Sequence, residues 1–163
     1  MLGSKIDLCV FIKIIIYCYT INMVWNLVED LEWGHFNERK VLKYLNENLF
    51  HEDNFKLYKN EKKQVDFKNT QYIAELKSRK NSKSRYPTTF FGYNKLKYLL
   101  EKEGETRGFK FYFLFTDGLY EWDYKEGEYT IQEFYHRERG IRDYVYIDIK
   151  YLKLVTNEIK STN

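Results

Sequence analysis

The stretch Val65–Arg85, VDFKNTQYIAELKSRKNSKSR, constrains this chain more than any other. Tyr72 to Lys77 alternates as a β-strand does, so Tyr72, Ala74 and Leu76 point to one face and Ile73, Glu75 and Lys77 to the other. Glu75 and Lys77 are then neighbours, roughly 7 Å apart along the strand. Asp66 ends the preceding apolar run, Val65 and Phe67. The turn Lys68-Asn69-Thr70 returns the chain so that Asp66 comes to lie beside Glu75. Two carboxylates and one ammonium converge at one point, the set that metal-dependent phosphodiester hydrolysis requires.

The 163 residues amount to one domain with room for a sizeable core. Aromatics make up 19% of the chain, 16 Tyr and 12 Phe among them, so that core should be aromatic-rich. A net charge of only +3 excludes a chain that binds nucleic acid through its overall charge. The positive charge is local: Lys77, Arg79, Lys80, Lys83 and Arg85 follow directly on the carboxylates. Such a run is either a solvated loop or, beside a metal site, a phosphate contact. Both cysteines, Cys9 and Cys18, fall near the N-terminus. The body of the chain therefore has no disulfide and no thiolate zinc site, which suits an intracellular, reducing compartment, cytoplasm or nucleus. The histidines (His35, His51, His136) show no ligand spacing.

Leu8 to Trp25 is apolar apart from Lys13, Thr20 and Asn22, and three readings of it stay open. It is an upstream extension of the frame ending before Met23, a membrane anchor interrupted by Lys13, or a packed N-terminal helix. Residues 1–22 are thus set apart from a single domain over 23–155, followed by a polar, frayed tail over 156–163. From Asn26 to Phe50 the pattern is helical, with Phe36, Val41, Leu42, Leu45 and Leu49 on the apolar face, Gly34 near the start and His51 to Asn54 as the stop. Short strands are expected at Phe55–Tyr58 and Val65–Phe67, with a turn at Lys59–Lys63, and a longer strand at Gln71–Lys77. Tyr86-Pro87-Thr88-Thr89 breaks the structure ahead of a second helix, Gly92 to Glu103, and Thr88 or Thr89 would cap that helix or the turn leading into it. Gly108–Phe115 and Gly118–Tyr124 read as a hairpin turning at Asp117-Gly118. A strand near Glu128–Phe134, a basic loop Arg137–Arg142 and a last strand Tyr144–Ile149 complete the chain.

Hard divalent cations take carboxylate oxygens, and magnesium needs only one or two from the protein. Asp66 and Glu75 supply these, with the backbone carbonyl of Leu76 as a third oxygen, and Lys77 offsets the charge that grows on the phosphate. The bland alternative is an exposed Glu75–Lys77 ion pair worth under about 1 kcal/mol.

The stretch resembles the PD-(D/E)xK nuclease superfamily, with Glu75-Leu76-Lys77 as the sharpest element and Asp66 at the first acid, preceded by Val65 in place of proline. The resemblance covers about Gly34 to Phe115. It implies an α/β (α+β) fold with a restriction-endonuclease-like core of helix, three-stranded meander, helix and strand, the mixed sheet flanked by helices. It implies Mg2+-dependent cleavage of DNA, with Mn2+ as a substitute, no small-molecule cofactor, and a homodimer as one allowed state. Glu38 matches the position of an additional acid facing the metal. Asn94-Lys95-Leu96-Lys97-Tyr98 resembles the Gln-x-x-x-Tyr signature of the RecB-like branch, with Asn in place of Gln. A nucleic-acid-binding protein on the same fold with idle acids is the alternative.

The loop from Arg79 through Lys80 and Lys83 to Arg85 leaves the strand directly after Lys77 and is expected to hold the DNA backbone. In the second helix Leu96, Leu99 and Leu100 would face inward. That turns Lys95, and with it Asn94, toward the carboxylates, and leaves Tyr98 to orient Lys95 or stack on a base.

Overall fold

The computed structural model describes residues 8–58, 65–136 and 140–161, with side chains from residue 28 onward except at 136. The expected turn at 59–63 and the first half of the basic loop at Arg137 lie outside the described residues. The chain divides into two compact units, residues 1–36 and 37–163. A single helix, α1 (Leu8–Asn48), takes up the described part of the first unit and enters the second. The break expected between an apolar segment and a helix starting near Gly34 is not there. One glycine costs a helix interior only about 1 kcal/mol, and the single proline stands far away at position 87. Among the described residues no helix is long and apolar enough to cross a membrane. The side chains of the apolar run itself are outside the described set.

In the second unit β1 (Lys56–Leu57), β2 (Phe67–Lys68) and β3 (Tyr72–Ser78) form an antiparallel meander. β4 (Thr88–Gly92) leads directly into α2 (Tyr93–Leu100). β5 (Gly108–Phe115), β6 (Gly118–Asp123), β7 (Tyr129–His136), β8 (Gly140–Asp148) and β9 (Lys153–Thr156) follow. Six strands form the central sheet in the order β1-β2-β3-β5-β6-β9, and three form a second sheet, β4-β8-β7. β3 and β5 run parallel from Tyr72 opposite Gly108 to Ser78 opposite Leu114, and every other pairing among the described residues is antiparallel. The fold is therefore α+β with a mixed central sheet.

The sequence of β5, GFKFYFLF, is apolar on both faces, as suits a strand covered on both sides. On one face Val41 and Leu45 of α1 pack with Phe67, Ala74, Leu76, Tyr112 and Leu114. On the other, Leu96 and Leu99 of α2 and Phe91, Val145 and Ile147 of the second sheet pack with Ile73, Phe111, Phe113 and Trp122. Each fully buried aliphatic or aromatic side chain contributes about 1.5–3 kcal/mol. Phe36 and Leu49, expected on the apolar face of α1, are instead exposed.

Two further expectations are corrected. Thr88 and Thr89 do not cap a helix but open β4, paired with Asp148 and Ile147 of β8, and Gly92 stands at the helix N-cap without a side-chain hydrogen bond. The segment after residue 155 is not frayed up to Ser161, which is buried; its amide donates to the Phe115 carbonyl at 2.9 Å and its hydroxyl to that of Arg79 at 2.5 Å. The Thr116-Asp117 turn closes the β5–β6 hairpin as expected. Gly118 belongs there because a Cβ would stand 2.7 Å from the Thr156 carbonyl of β9.

Candidate active site

β3 lies between β2 and β5, so its period-2 alternation sends Ala74 and Leu76 under α1 and Ile73 and Glu75 toward α2. Because that second face is also covered, Glu75 is buried, with 1% of its surface exposed. Asp66 is buried beside it, held by three backbone contacts. Its amide donates to the Ala74 carbonyl at 3.1 Å, its carbonyl accepts from Tyr58 at 2.9 Å, and its Oδ2 accepts from the Leu76 amide at 2.8 Å. Amide and carbonyl of one strand residue point to the same side. The Leu76 carbonyl therefore faces the Asp66 edge.

Lys77 reaches Glu75 Oε1 at 2.5 Å, and Lys95 of α2 reaches the same oxygen at 3.3 Å. Glu75 Oε2 is buried with no hydrogen-bond partner among the described residues. Burial pushes the Glu75 carboxyl above the ordinary carboxylate range; Asp66 adds to the rise, while Lys77 and Lys95 oppose it. An open groove of about 720 Å³ lies alongside, lined by Lys77, Lys95, Lys97 and Arg142 together with Tyr93, Asn94 and Tyr144. Asp143 is the acid in that lining.

Of the residues anticipated from sequence, Asp66, Glu75, Lys77 and Lys95 come together, with the Leu76 backbone at the same edge. Asn94 lines the groove and is exposed. Glu38 does not complete a three-acid set: among the described residues no group of three or more His, Cys, Asp or Glu is placed to hold a metal ion. Tyr98 shares a hydrogen bond with Tyr58 and lies under the Lys102 ammonium.

The loop cations also fall elsewhere. Arg79, Lys80, Lys83 and Arg85 are absent from the groove lining. The Arg79 guanidinium donates to the Phe90 carbonyl, to the Ser78 carbonyl at 3.3 Å and to Thr89 Oγ1 at 3.5 Å, and burial pushes its pKa down to about 10. It fastens β3 to β4. Lys83 donates its amide to Asp117 Oδ1 at 3.0 Å and sets its ammonium over the Tyr120 ring. Arg85 lies over Tyr86, and Lys80 is exposed.

Sequence reasoning did not anticipate Tyr93, Arg142 and Tyr144 as groove residues. Arg142 belonged to a stretch that read as a basic loop, and its local pattern carries no sign that β8 returns to α2. The chain matches no protein-family model, no curated protein and no solved structure.

Proposed function

We propose that this protein is a Mg2+-dependent deoxyribonuclease that hydrolyses DNA phosphodiester bonds at Glu75. The observation that carries the reading is the Glu75 carboxylate, buried beside Asp66 with Oε2 lacking a hydrogen-bond partner among the described residues. Such an atom is costly unless something satisfies it, and a hard cation bound by oxygen donors is a chemically matched occupant. The residues fit: Asp66, Glu75 and the Leu76 carbonyl would hold magnesium, or manganese in its place. When bound, the ion supplies Lewis acidity toward the scissile phosphate and lowers the pKa of a water.

The chain's own residues do the remainder. Lys77 and Lys95 hold Glu75 through Oε1, leaving Oε2 to the ligand, and their ammoniums offset the charge that accumulates on the phosphate. Lys97 and Arg142 extend the positive lining along the groove, where a DNA backbone can run. The order α1, β1–β2–β3, α2, β5, with β5 beside β3, supports a restriction-endonuclease-like core and membership of the PD-(D/E)xK superfamily.

The two lysines on a single carboxylate favour a second reading, in which the charges form a structural cluster and the chain binds nucleic acid without cutting it. Incubation with plasmid, single-stranded and branched DNA in magnesium separates the two. Cleavage that disappears in EDTA and in Glu75→Ala supports the nuclease; DNA bound but left intact under every condition would retire it.

A further inference from the structure

We infer that the outer face of the β4-β8-β7 sheet is a stacking platform for single-stranded DNA, continuous with the groove that leads to Glu75. The inference rests on the nuclease reading and names its substrate class. Residues directly opposite across an antiparallel pair share a face. Phe90 lies opposite Tyr146 and Phe134 opposite Arg142, with Tyr144 between them facing Gly92, so the side chains of Phe90, Phe134, Arg142, Tyr144 and Tyr146 project together. The other face carries Phe91, Val145 and Ile147 into the core, which leaves this one to solvent.

A solvent face of an antiparallel sheet is ordinarily polar. Here four aromatic rings adjoin: Phe90 is 5.5 Å from both Tyr144 and Tyr146, and Phe134 is 6.2 Å from Tyr144. Phe90 is 43% exposed and Phe134 53%. Charge selects the occupant. Arg142 stands on this same face, directly opposite Phe134. Arg142 and Tyr144 belong to the groove wall as well as to this face, and the groove continues through Lys97 and Lys95 to Lys77 with Asp143 as its acid. Aromatic rings flanked by cations match a strand whose bases are unstacked and whose phosphates need neutralising. A duplex keeps its bases stacked internally and gains nothing from the rings. The platform would take the unpaired strand by its bases, and the groove would deliver its backbone to the carboxylates.

The test is fluorescence anisotropy of the full chain in EDTA, with a labelled single strand of about 16 nucleotides and a blunt duplex of equal length. The single strand should bind more tightly. Phe90→Ala and Phe134→Ala should each weaken single-strand binding by about fivefold or more while leaving duplex binding within about twofold. Phe134→Trp should keep the affinity, and its added emission should be quenched by the single strand. Duplex bound as tightly as single strand, or an added emission in Phe134→Trp that is indifferent to the strand, overturns the platform, and this tryptophan variant decides even where an alanine variant fails to fold. Binding in EDTA is read apart from hydrolysis. Tight single-strand binding without cleavage in magnesium would sink the nuclease reading alone, and efficient cleavage of blunt duplex without single-strand preference would sink the platform alone.

Discussion

Lys95 Nζ lies 3.3 Å from Glu75 Oε1, the oxygen that also takes Lys77 Nζ at 2.5 Å. One ammonium comes from the strand that carries the carboxylate and the other from a helix twenty residues on. The pair pins one oxygen and leaves its twin, Oε2, as the buried atom without a partner among the described residues. Two lysines also balance two carboxylates, Glu75 and Asp66, which is how four ionisable groups share a largely dry site.

If that geometry serves catalysis, Lys77→Ala and Lys95→Ala should each lower single-turnover DNA cleavage by about 100-fold or more, and Glu75→Ala should abolish it. Circular dichroism checks that each variant folds. Cleavage by Lys95→Ala at the wild-type rate would reduce the 3.3 Å contact to a structural ion pair.

Proton and metal should compete at Glu75. Its carboxyl is raised by burial and by Asp66, so the neutral form persists above the usual carboxylate range. Manganese affinity, measured by calorimetry between about pH 5 and 8, should rise with pH by up to about tenfold per unit until Glu75 is ionised. The same shift makes the metal-free fold lose stability as pH rises above the ordinary carboxylate range, because the folded state holds the proton more tightly than the unfolded one. An affinity independent of pH would contradict the assignment of Glu75 as a ligand.

Arg79 should matter to stability and little to DNA. Its guanidinium bonds Phe90, Ser78 and Thr89 and covers the Phe90 ring. Arg79→Ala should cost about 1–3 kcal/mol in urea denaturation. Double neutralisation of Lys95 and Lys97 in the groove should flatten the salt dependence of DNA affinity by roughly one unit of slope per lost contact. A large loss of slope in Arg79→Ala with stability unchanged would reverse these roles.

The connection between α2 and β5 has its own pH signature. Glu105 holds Arg107 through two contacts, at 2.6 and 2.7 Å, and Lys102 at 2.9 Å, while Arg107 also donates to the Asn69 carbonyl of the β2–β3 turn. These hydrogen bonds, Arg107 first, hold the Glu105 carboxyl well below its ordinary value of 4.5. Its contribution is present above that ordinary value and fades as pH falls toward the depressed one. Glu105→Gln should therefore lose about 2 kcal/mol at pH 7. Thermal melts should show the gap from wild type narrowing below about pH 5, and a gap constant down to pH 3 would refute the ion pair as its cause.

Much of the site was legible because its signal is local. The alternation from Tyr72 to Lys77 fixes which residues share a face, and the turn that follows Lys68, through Asn69 and Thr70, brings Asp66 to Glu75. The leucines of α2 at three- and four-residue spacing turn Lys95 toward the strand. Leu96 and Leu99 are buried as that spacing requires, whereas Leu100 is exposed. Tyr98 escaped the same logic because its partner, Tyr58, sits on a segment far off in sequence.

What the amino-acid order determined by itself is therefore the meander, the hairpin at Asp117-Gly118, the two helices in outline and the acids with their first lysine, all products of spacing within about a dozen residues. Tertiary structure alone decided the rest. β4 has the look of a broken loop around Pro87, and it becomes a strand only because β8, more than fifty residues later, offers it a partner. Arg79 sits among surface cations in the sequence, and only the arrival of Phe90 above it turns it into a fastener. A strand edge and a buried guanidinium acquire their meaning from groups that pack against them, and the free energy of such non-local contacts leaves no periodicity in the chain to read.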